Sequence, residues 1–323
     1  MSRRVVVTGG AGFLGSHLCE ALLRAGDTVV AVDNLCTGLP SNLDGFSDNP
    51  RFQFVEADVS EGIPLSGPVD VVAHLACPAS PPEYLRLALE TLAVGSRGTQ
   101  AAVDLAMEHG ARLVFASTSE VYGDPTVHPQ PESYWGNVNP VGPRSVYDES
   151  KRFSEALLVA HARYRDANVG IVRIFNTYGP RLRPQDGRVV SNFIAQALSG
   201  EPLTIYGSGS QTRSFCYVDD LIAGLLAMIN SQERGPINIG NSAEMTVAQL
   251  ADLVLELTGS GSKVVYEDMP VDDPLVRQPD ITLASTLLGW RPVVDLRDGL
   301  LRTIEWHKAL AEGAGGGRRP AGN

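Results

Sequence analysis

One stretch of the chain, residues 114–151, gathers residue types that proton-transfer chemistry uses. Its second half contains Tyr147 and Lys151, which are four residues apart and would share one face of a helix. A lysine charge beside a phenol favours the phenolate, so we expect it to lower the pKa of Tyr147 from about 10 toward neutrality. The first half is predicted to be a buried strand that ends in three hydroxyls and one carboxylate: Ser117, Thr118, Ser119 and Glu120. The Tyr and Lys predict a proton-transfer base, although an ordinary amphipathic helix fits the same spacing.

The composition and net charge limit the classes of ligand on which such a base could act. The chain has 323 residues, of which 43% are hydrophobic and 20% are charged, as is typical of a globular protein. Its formal net charge of −11 argues against general nucleic-acid binding, which needs a basic surface. An anionic small molecule would therefore depend on locally clustered arginines.

The sequence predicts neither a metal site nor a membrane segment. The four cysteines are widely spaced without a Cys-x-x-Cys pair, and the six histidines lack metal-ligand spacing. Reduced thiols of this kind indicate a cytoplasmic protein without a disulfide framework. The first strand is reached by Val5, which is too early for a signal peptide.

The N-terminal segment is predicted to form a strand, a glycine turn, a helix and a second strand. Gly10, Gly12 and Gly15 fit the pattern Gly-x-Gly-x-x-Gly, and Gly9 with Gly12 and Gly15 gives an alternative spacing. Only glycine lets backbone amides approach a pyrophosphate at a helix N-terminus. Asp33, eighteen residues after Gly15, is placed to accept hydrogen bonds from an adenosine ribose and would repel the extra phosphate of NADP. The segment therefore predicts NAD binding.

Strands and helices continue to alternate, which predicts an α/β protein with a Rossmann-like, doubly wound parallel sheet. The further predicted elements are a helical region, 82–109, and strands at 52–58, 69–76, 112–118 and 170–181. After Pro180 the elements shorten, which indicates a smaller C-terminal α/β substrate lobe over the carboxyl edge of the sheet. The expected domains are an NAD-binding unit, 1–176, to which segments near 214–240 return, a nucleotide-sugar lobe, 177–312, and a disordered tail, 313–323.

With these pieces in place, the chain resembles the extended short-chain dehydrogenases/reductases that act on nucleotide sugars. Within that superfamily it is similar to the UDP-glucuronate decarboxylases, also called UDP-xylose synthases, from about Arg4 to Leu310. The resemblance is carried by HLACPASPPEY, STSEVYGDP, VHPQPESYWGNVNPVGPRSVYDESK, RIFNTYGPR, DGRVVSNFI, YGSGSQTRSF and DDPLVRQPD.

The resemblance implies conversion of UDP-glucuronate to UDP-xylose through a 4-keto sugar, with hydride borrowed and returned by NAD. Thr118, Tyr147 and Lys151 would form the oxidoreductase triad, and Glu120 would be the acid that distinguishes decarboxylases. Arg277 would engage the sugar carboxylate. A loop salt bridge for Glu120 and a surface ion pair of Arg277 with the acidic stretch around it are the plainer alternatives.

The predicted ligand contacts follow from the same motifs. The expected NAD contacts are Gly9, Gly12, Phe13, Leu14, Gly15, Asp33, Asn34, Thr37, Gly38, Asp58, Val59, Leu75, Ala76, Tyr147 and Lys151. The expected substrate contacts are Pro78, Ser80, Tyr84, Ser119, Glu120, Asn176, Arg181, Val190, Thr204, Tyr206, Gln211, Arg213, Tyr217 and Arg277. Arg181 and Arg213 are assigned to the diphosphate. Tyr206, beside Leu203 and Thr204, is assigned to the uracil, although a plain edge strand fits these three residues almost as well.

Two positions depart from the family pattern. Gly95 stands where many relatives carry an Asn, so a supporting polar side-chain contact is impossible there. Cys77 stands where a Ser is common, and we expect this change to matter little.

Three other functions remain open at this point. A UDP-sugar 4-epimerase would use the same Tyr and Lys, but it would not require Glu120 or Arg277. A 4,6-dehydratase usually shows Asp-Glu after the Thr, whereas this chain has Ser119 at the Asp position. A non-catalytic NAD-binding protein would typically lack the Tyr or the Lys. By analogy with relatives, the helical stretches 85–108 and 145–165 predict a homodimer.

Overall fold

The computed structural model describes residues 2–315 of the chain. The strands are β1 (Arg4–Thr8), β2 (Thr28–Asp33), β3 (Phe52–Glu56), β4 (Val71–His74), β5 (Arg112–Thr118), β6 (Val169–Ile174), β7 (Thr177–Tyr178), β8 (Leu203–Tyr206), β9 (Thr212–Ser214), β10 (Cys216–Tyr217), β11 (Ile237–Ile239), β12 (Glu244–Thr246) and β13 (Val264–Glu267). The α-helices are α1 (Phe13–Arg24), α2 (Pro81–Arg86), α3 (Ala88–Ala93), α4 (Thr99–His109), α5 (Ser145–Tyr164), α6 (Val189–Ser199), α7 (Val218–Ile229), α8 (Val247–Thr258), α9 (Thr282–Leu287) and α10 (Leu296–Gly315).

The fold is organised by a seven-stranded parallel sheet in the order β11-β6-β5-β4-β1-β2-β3. Its central strands are apolar in their middle parts and almost entirely buried, because helices cover both faces of the sheet. Leu18 of α1 and Leu225 of α7 belong to one apolar cluster, whereas Val103 of α4 and Leu158 of α5 belong to another. The prediction of a Rossmann-like, doubly wound α/β fold is confirmed.

The predicted helical region 82–109 is divided in the structure. It consists of α2, α3, a π-helical turn (Val94–Gly98) and α4. Gly95 lies in the turn, where a Cβ atom would come within 2.6 Å of the Ser150 Cβ on α5. The glycine therefore permits close packing of the turn against α5, and its carbonyl oxygen accepts a 2.6 Å hydrogen bond from the Ser154 hydroxyl. The predicted strand 170–181 is likewise divided, into β6 and the two-residue strand β7.

Most of the strands after residue 180 form small two-stranded sheets. β8 pairs with β13, β9 with β12, and β10 with β7. β11 differs, because it extends the main sheet beside β6. The last helix, α10, is described to Gly315, and residues 316–323 of the predicted disordered tail lie outside the described residues. No helix among residues 2–315 combines the length and the apolar character needed to span a membrane.

Candidate active site

A cleft opens where the parallel strands end. Its walls come from the glycine turn after β1, the segments that follow β2 and β4, the end of β5 with the start of α5, and the segment 174–188. Parallel α/β sheets bind ligands at this carboxyl edge. The cleft therefore brings the N-terminal glycines and the Tyr147 region into one site.

The glycine turn forms a cradle that side chains would close. Gly9 has a φ of +71°, and a Cβ atom there would lie 2.9 Å from the Ala76 backbone. A Cβ at Gly15 would lie 2.0 Å from the Gly9 carbonyl oxygen. Helix α1 begins immediately after Gly12, and no side chain caps its N-terminus. These free amides and the helix dipole suit a diphosphate, so the residues present fit a bound dinucleotide.

Asp33 ends β2 at the rim of this cradle. Its Oδ2 accepts a hydrogen bond from the Ala11 backbone N–H at 3.0 Å, and its Oδ1 accepts one from the Leu35 N–H at 2.8 Å. Burial raises the pKa of Asp33, and the backbone hydrogen bonds oppose that rise. Gly38 lies outside the cleft lining, against Asp33, where a Cβ atom would be 2.9 Å from Asp33 Oδ2. This glycine leaves room for the carboxylate.

The Asn34 side chain connects the ends of β2 and β3. Its Nδ2 donates a 3.0 Å hydrogen bond to Oδ2 of Asp58. The Asp58 carboxylate also accepts from the Ser60 hydroxyl and N–H, at 2.6 Å and 2.8 Å. Asp58 therefore lines the cleft and also closes the turn that follows β3.

Tyr147 and Lys151 both lie in the cleft on the first turns of α5. The Lys151 Nζ donates a 2.8 Å hydrogen bond to the Ala116 carbonyl and lies 4.7 Å from the centre of the Phe115 ring. It is 5.9 Å from the centre of the Tyr147 ring.

The expected lowering of the Tyr147 pKa is not found in this structure. Burial raises the pKa of Tyr147, the nearby Cys77 raises it further, and the Thr118 hydroxyl opposes the rise by a smaller amount. Burial also lowers the pKa of Lys151. The prediction was wrong on this point because the lysine is itself desolvated and its ammonium is directed to a backbone carbonyl.

Tyr84 of α2 packs on Tyr147. The two phenol rings are nearly parallel, with an interplanar angle of 6° and centres 5.0 Å apart. The Tyr84 hydroxyl is buried without a hydrogen-bond partner. Tyr84 therefore fixes one face of the Tyr147 ring, and its own hydroxyl remains free to hydrogen-bond a ligand.

Glu120, just beyond β5, is held by two arginines. Its Oε1 accepts a 2.6 Å hydrogen bond from Nη1 of Arg277, and its Oε2 accepts a 2.7 Å hydrogen bond from Nη2 of Arg144. Although burial opposes ionisation, Arg277 and Arg144 together lower the pKa of Glu120 to about 2. Glu120 is therefore an anion, and its salt bridges are buried ones at the cleft rather than contacts in an outer loop.

The ion pairs continue beyond Glu120. Arg144 Nη1 donates to Asp273 Oδ1 at 3.2 Å, and Arg213 Nη2 donates to Asp273 Oδ2 at 2.9 Å. We call the five residues of this alternating chain, Arg213, Asp273, Arg144, Glu120 and Arg277, the arginine–carboxylate chain. Its three arginines outnumber its two carboxylates, which leaves an excess positive charge.

Arg277 is the least satisfied member of the arginine–carboxylate chain. It is 6% exposed, which excludes the surface ion pair considered from the sequence. Its Nη1 contacts Glu120, but its Nε and Nη2 are buried without hydrogen-bond partners. Nε and Nη2 are adjacent on the planar guanidinium and can bind both oxygens of a carboxylate.

Most of the predicted ligand contacts share the cleft. The predicted residues that line it are Gly9, Gly12, Phe13, Leu14, Gly15, Asp33, Asn34, Thr37, Asp58, Val59, Leu75, Ala76, Pro78, Ser80, Thr118, Ser119, Glu120, Tyr147, Lys151, Asn176 and Arg181. The predicted residues outside its lining are Gly38, Tyr84, Val190, Thr204, Tyr206, Gln211, Arg213, Tyr217 and Arg277.

The predicted uracil and diphosphate contacts are only partly assembled. Leu203 is completely buried, so it cannot offer a face to a base beside Tyr206, which is 43% exposed. Arg181 binds Glu20 of α1 at 2.5 Å, and its Nη1 is buried without a partner. Arg213 is 7% exposed and is directed to Asp273.

The sequence prediction missed three polar residues near Glu120. Arg144 and Asp273 complete the arginine–carboxylate chain, and Asp148 is 5% exposed with its Oδ1 unpartnered. Burial, together with the charge of Glu120, raises the pKa of Asp148 to about 7. The available signal was the segment that contains Tyr147 and Lys151, because Arg144 and Asp148 belong to the same motif.

The cysteines are unpaired, and Cys77 is one of those in the cleft. All four cysteines are free thiols, and Cys77, which lines the cleft, has its pKa raised by burial. Within the part of the chain that the structure describes, no cluster of three or more His, Cys, Asp or Glu side chains is arranged to hold a metal ion.

Comparison with known proteins gives a consistent picture. The model of the NAD dependent epimerase/dehydratase family matches residues 5–240. The chain is 50% identical over 310 residues to UDP-glucuronic acid decarboxylase 1 of Xenopus tropicalis, covering 96% of this chain and 73% of the relative. It is 50% identical over 298 residues to UDP-glucuronic acid decarboxylase 5 of Arabidopsis thaliana, covering 92% and 87%. Among solved structures, UDP-glucuronic acid 4-epimerase from Bacillus cereus, in complex with NAD and UDP-4-deoxy-4-fluoro-glucuronic acid, is similar with a TM-score of 0.84 and 30% identity, covering 95% of this chain and 99% of that one.

Proposed function

We propose, since the chain belongs to the NAD dependent epimerase/dehydratase family, that it is an NAD-dependent UDP-glucuronate decarboxylase that produces UDP-xylose. The curated relatives that are half identical over more than nine-tenths of the chain are decarboxylases of this kind. Within the site, the proposal rests on the pairing of buried Glu120 with Arg277. Arg277 keeps its Nε and Nη2 free of hydrogen-bond partners.

The chemistry explains why a carboxylate-binding arginine belongs beside a redox site. Direct loss of the glucuronate carboxylate would leave a carbanion at C5 without an electron sink. Oxidation of the C4 hydroxyl creates a β-keto acid, so the C5–C6 electron pair is delocalised as an enolate when carbon dioxide leaves. Protonation at C5 and return of hydride to C4 then give the pentose, with no net oxidation.

The cofactor is expected to be NAD, held by the glycine turn and by Asp33. Asp33 is already bonded to two backbone N–H groups, and its carboxylate would repel a 2′-phosphate. When bound, NAD supplies the carrier that accepts the C4 hydride and later returns it.

Tyr147 is assigned as the base for the C4 hydroxyl, and Thr118 as the hydrogen-bonding group beside it. Because burial raises its pKa, Tyr147 is a neutral phenol in this structure, and it needs added positive charge or hydrogen-bond donors to become a base. The Tyr84 ring packs on Tyr147 and holds its position, while the buried Lys151 ammonium lies 5.9 Å from the centre of the Tyr147 ring.

Arg277 is assigned to the sugar carboxylate through Nε and Nη2. Glu120 was expected to protonate C5, but a carboxylate with its pKa lowered to about 2 has no proton to give near neutral pH. We therefore assign Glu120 to hold and orient a water molecule that delivers the proton.

We expect a homodimer that forms through the exposed apolar side chains of the helices on one face. These side chains are Leu85 of α2, Leu89 and Leu92 of α3, Met107 of α4, and Phe153, Val159 and Tyr164 of α5. Exposed apolar surface of this extent is typical of a protein interface. The four free thiols suit a reducing compartment, and we expect the cytoplasm.

The test is turnover of UDP-glucuronate by the purified protein supplied with NAD, followed by mass spectrometry. We expect release of carbon dioxide and a UDP-pentose. Recovery of UDP-galacturonate without loss of mass would instead favour 4-epimerisation, the activity named for the similar Bacillus cereus structure. The Tyr147→Phe variant should lose turnover by about 100- to 10,000-fold while it still binds NAD. Near-normal turnover would refute the assignment of the base.

A further inference from the structure

We propose that Arg144 is a positioning residue for decarboxylation, because it bridges Glu120 at the cleft to Asp273 of the C-terminal lobe and so fixes the Glu120 carboxylate. The inference rests on the proposed function, since it concerns how Glu120 handles the proton for C5. Arg144 itself is not part of the cleft lining and is assigned no contact with the substrate.

The geometry of Arg144 is that of a bridge. It immediately precedes α5, and its side chain is 11% exposed. One terminal nitrogen binds Glu120 at 2.7 Å, and the other binds Asp273 at 3.2 Å. Glu120 lies 24 residues before Arg144 in the chain, and Asp273 lies 129 residues after it. Arg144 therefore joins two parts of the molecule that no local sequence contact connects.

Arg144 provides something that Arg277 cannot provide alone. Arg277 contacts only Oε1 of Glu120, and under the proposed function it also binds a substrate carboxylate that leaves as carbon dioxide. The charge around Arg277 consequently changes during turnover. Arg144 holds the other oxygen, Oε2, and contacts no leaving group, so it keeps Glu120 in one orientation through both states.

Asp273 sets the position of Arg144 in turn. Its two oxygens are divided between Arg144 and Arg213, so each carboxylate in the arginine–carboxylate chain lies between two arginines. A planar guanidinium can reach two carboxylates at once through different nitrogens. A lysine ammonium is a point charge that can replace the interaction with Glu120 but cannot span the same bridge with fixed geometry.

The experiment compares Arg144→Gln, Arg144→Lys and Asp273→Asn with wild type, at saturating NAD. Turnover, KM for UDP-glucuronate, bound NAD, melting temperature and released 4-keto sugar are measured for each protein. Asn139→Ala is the matched control, because exposed Asn139 bonds Asp272, the neighbour of Asp273, at 3.0 Å and lies outside the arginine–carboxylate chain.

For Arg144→Gln we expect kcat to fall about 100-fold, as for a misplaced catalytic group, with KM changed less than threefold and 4-keto sugar accumulating. Arg144→Lys should recover part of kcat, Asp273→Asn should show a smaller loss of the same kind, and Asn139→Ala should match wild type. Arg144→Lys and Asp273→Asn keep the test decisive if Arg144→Gln does not fold.

Three results would overturn the inference. The first is an unchanged kcat in the Arg144 variants, and the second is a raised KM without a loss of kcat, which would make Arg144 a substrate-binding residue. The third is a fall in melting temperature that accounts for the whole loss of activity and is as large in Arg144→Lys as in Arg144→Gln. That result would make the role of Arg144 structural. A wild-type protein that releases no carbon dioxide would instead refute the proposed function itself.

Discussion

Two arginine–carboxylate clusters lie beside the end of β5, where the Ser117 hydroxyl donates to Glu155 at 2.6 Å and Glu120 follows the strand, and they differ in how completely their hydrogen bonds are satisfied. In the first, which we call the closed cluster, Arg173 binds both oxygens of Glu155, at 2.9 Å and 2.7 Å. Its remaining terminal nitrogen donates to the Tyr122 hydroxyl and the Glu132 carbonyl, at 3.0 Å and 3.1 Å. In the second, the arginine–carboxylate chain, two N–H groups of Arg277 have no partner.

The difference separates structure from function. A buried arginine whose donors are all used has no capacity to bind anything else, so the closed cluster joins α5, β6 and the segment around Glu132. A buried arginine with free donors has lost its hydration without gaining hydrogen bonds in return, and a bound carboxylate would offset this loss. Substitutions in the two clusters should therefore affect different properties of the protein.

The largest effect is expected for Arg277→Gln. The substitution removes the two free N–H groups and one of the two arginines on Glu120, so kcat/KM for UDP-glucuronate should fall about 100- to 1000-fold. The melting temperature should change little, because Arg144 still holds Glu120. Steady-state kinetics and thermal melts check this, with Arg297→Gln, at an exposed pair with Glu256, as the control. A large loss of stability with unchanged kinetics would show that Arg277 stabilises the fold and does not act in the reaction.

Glu155→Gln should have the opposite profile. It leaves Arg173 buried without its carboxylate, so the free energy of unfolding should fall by about 3 kcal/mol. Chemical denaturation measures this, and kcat of the folded fraction should fall much less than for Arg277→Gln. An unchanged denaturation midpoint would show that the closed cluster does not stabilise the fold.

Asp148→Asn should stabilise the protein in a pH-dependent way. Burial raises the pKa of Asp148 from an ordinary value of 3.8 to about 7, so its ionisation costs stability as the pH rises through that range. At pH 8 the variant should be more stable than wild type, and the difference should shrink as the pH falls and vanish near pH 4. Thermal melts across this range test the sign. A variant that is less stable at pH 8 would indicate that ionised Asp148 is favourably paired.

The smallest effect is expected for Tyr122→Phe in the closed cluster. The Tyr122 hydroxyl donates to Asn238 Oδ1 at 2.8 Å and accepts from Arg173, so its removal should cost about 1 kcal/mol. Denaturation of this variant beside Glu155→Gln ranks the two contacts. A larger loss than for Glu155→Gln would mean that the hydroxyl, and not the carboxylate, organises this cluster.

The sequence was sufficient for features that depend on neighbouring residues. The glycine turn with Asp33 and the helical spacing of Tyr147 and Lys151 are local patterns, and the structure brings these residues into one cleft. The alternation of strands and helices likewise predicted the doubly wound sheet.

Features that depend on burial and on distant pairing could not be predicted in this way. The raised pKa of Tyr147 follows from desolvation by the folded protein, and a sequence does not display desolvation. Arg144 and Asp273 meet across 129 residues of chain, and each resembles an ordinary surface charge when taken alone. Leu203 was expected beside the uracil base, but it is buried in the core. The alternation of side chains along a short strand does not indicate which face of the strand the core covers.

The return of β11 to the edge of the main sheet has a consequence for how the protein is made. The six strands β1 to β6 are complete by residue 174, but β6 remains an open edge of the sheet until residues 237–239 have left the ribosome. An exposed parallel edge invites pairing with other chains. A nascent chain that stopped after β10 would therefore be prone to aggregate, and the N-terminal part should mature only after most of the polypeptide has been synthesised.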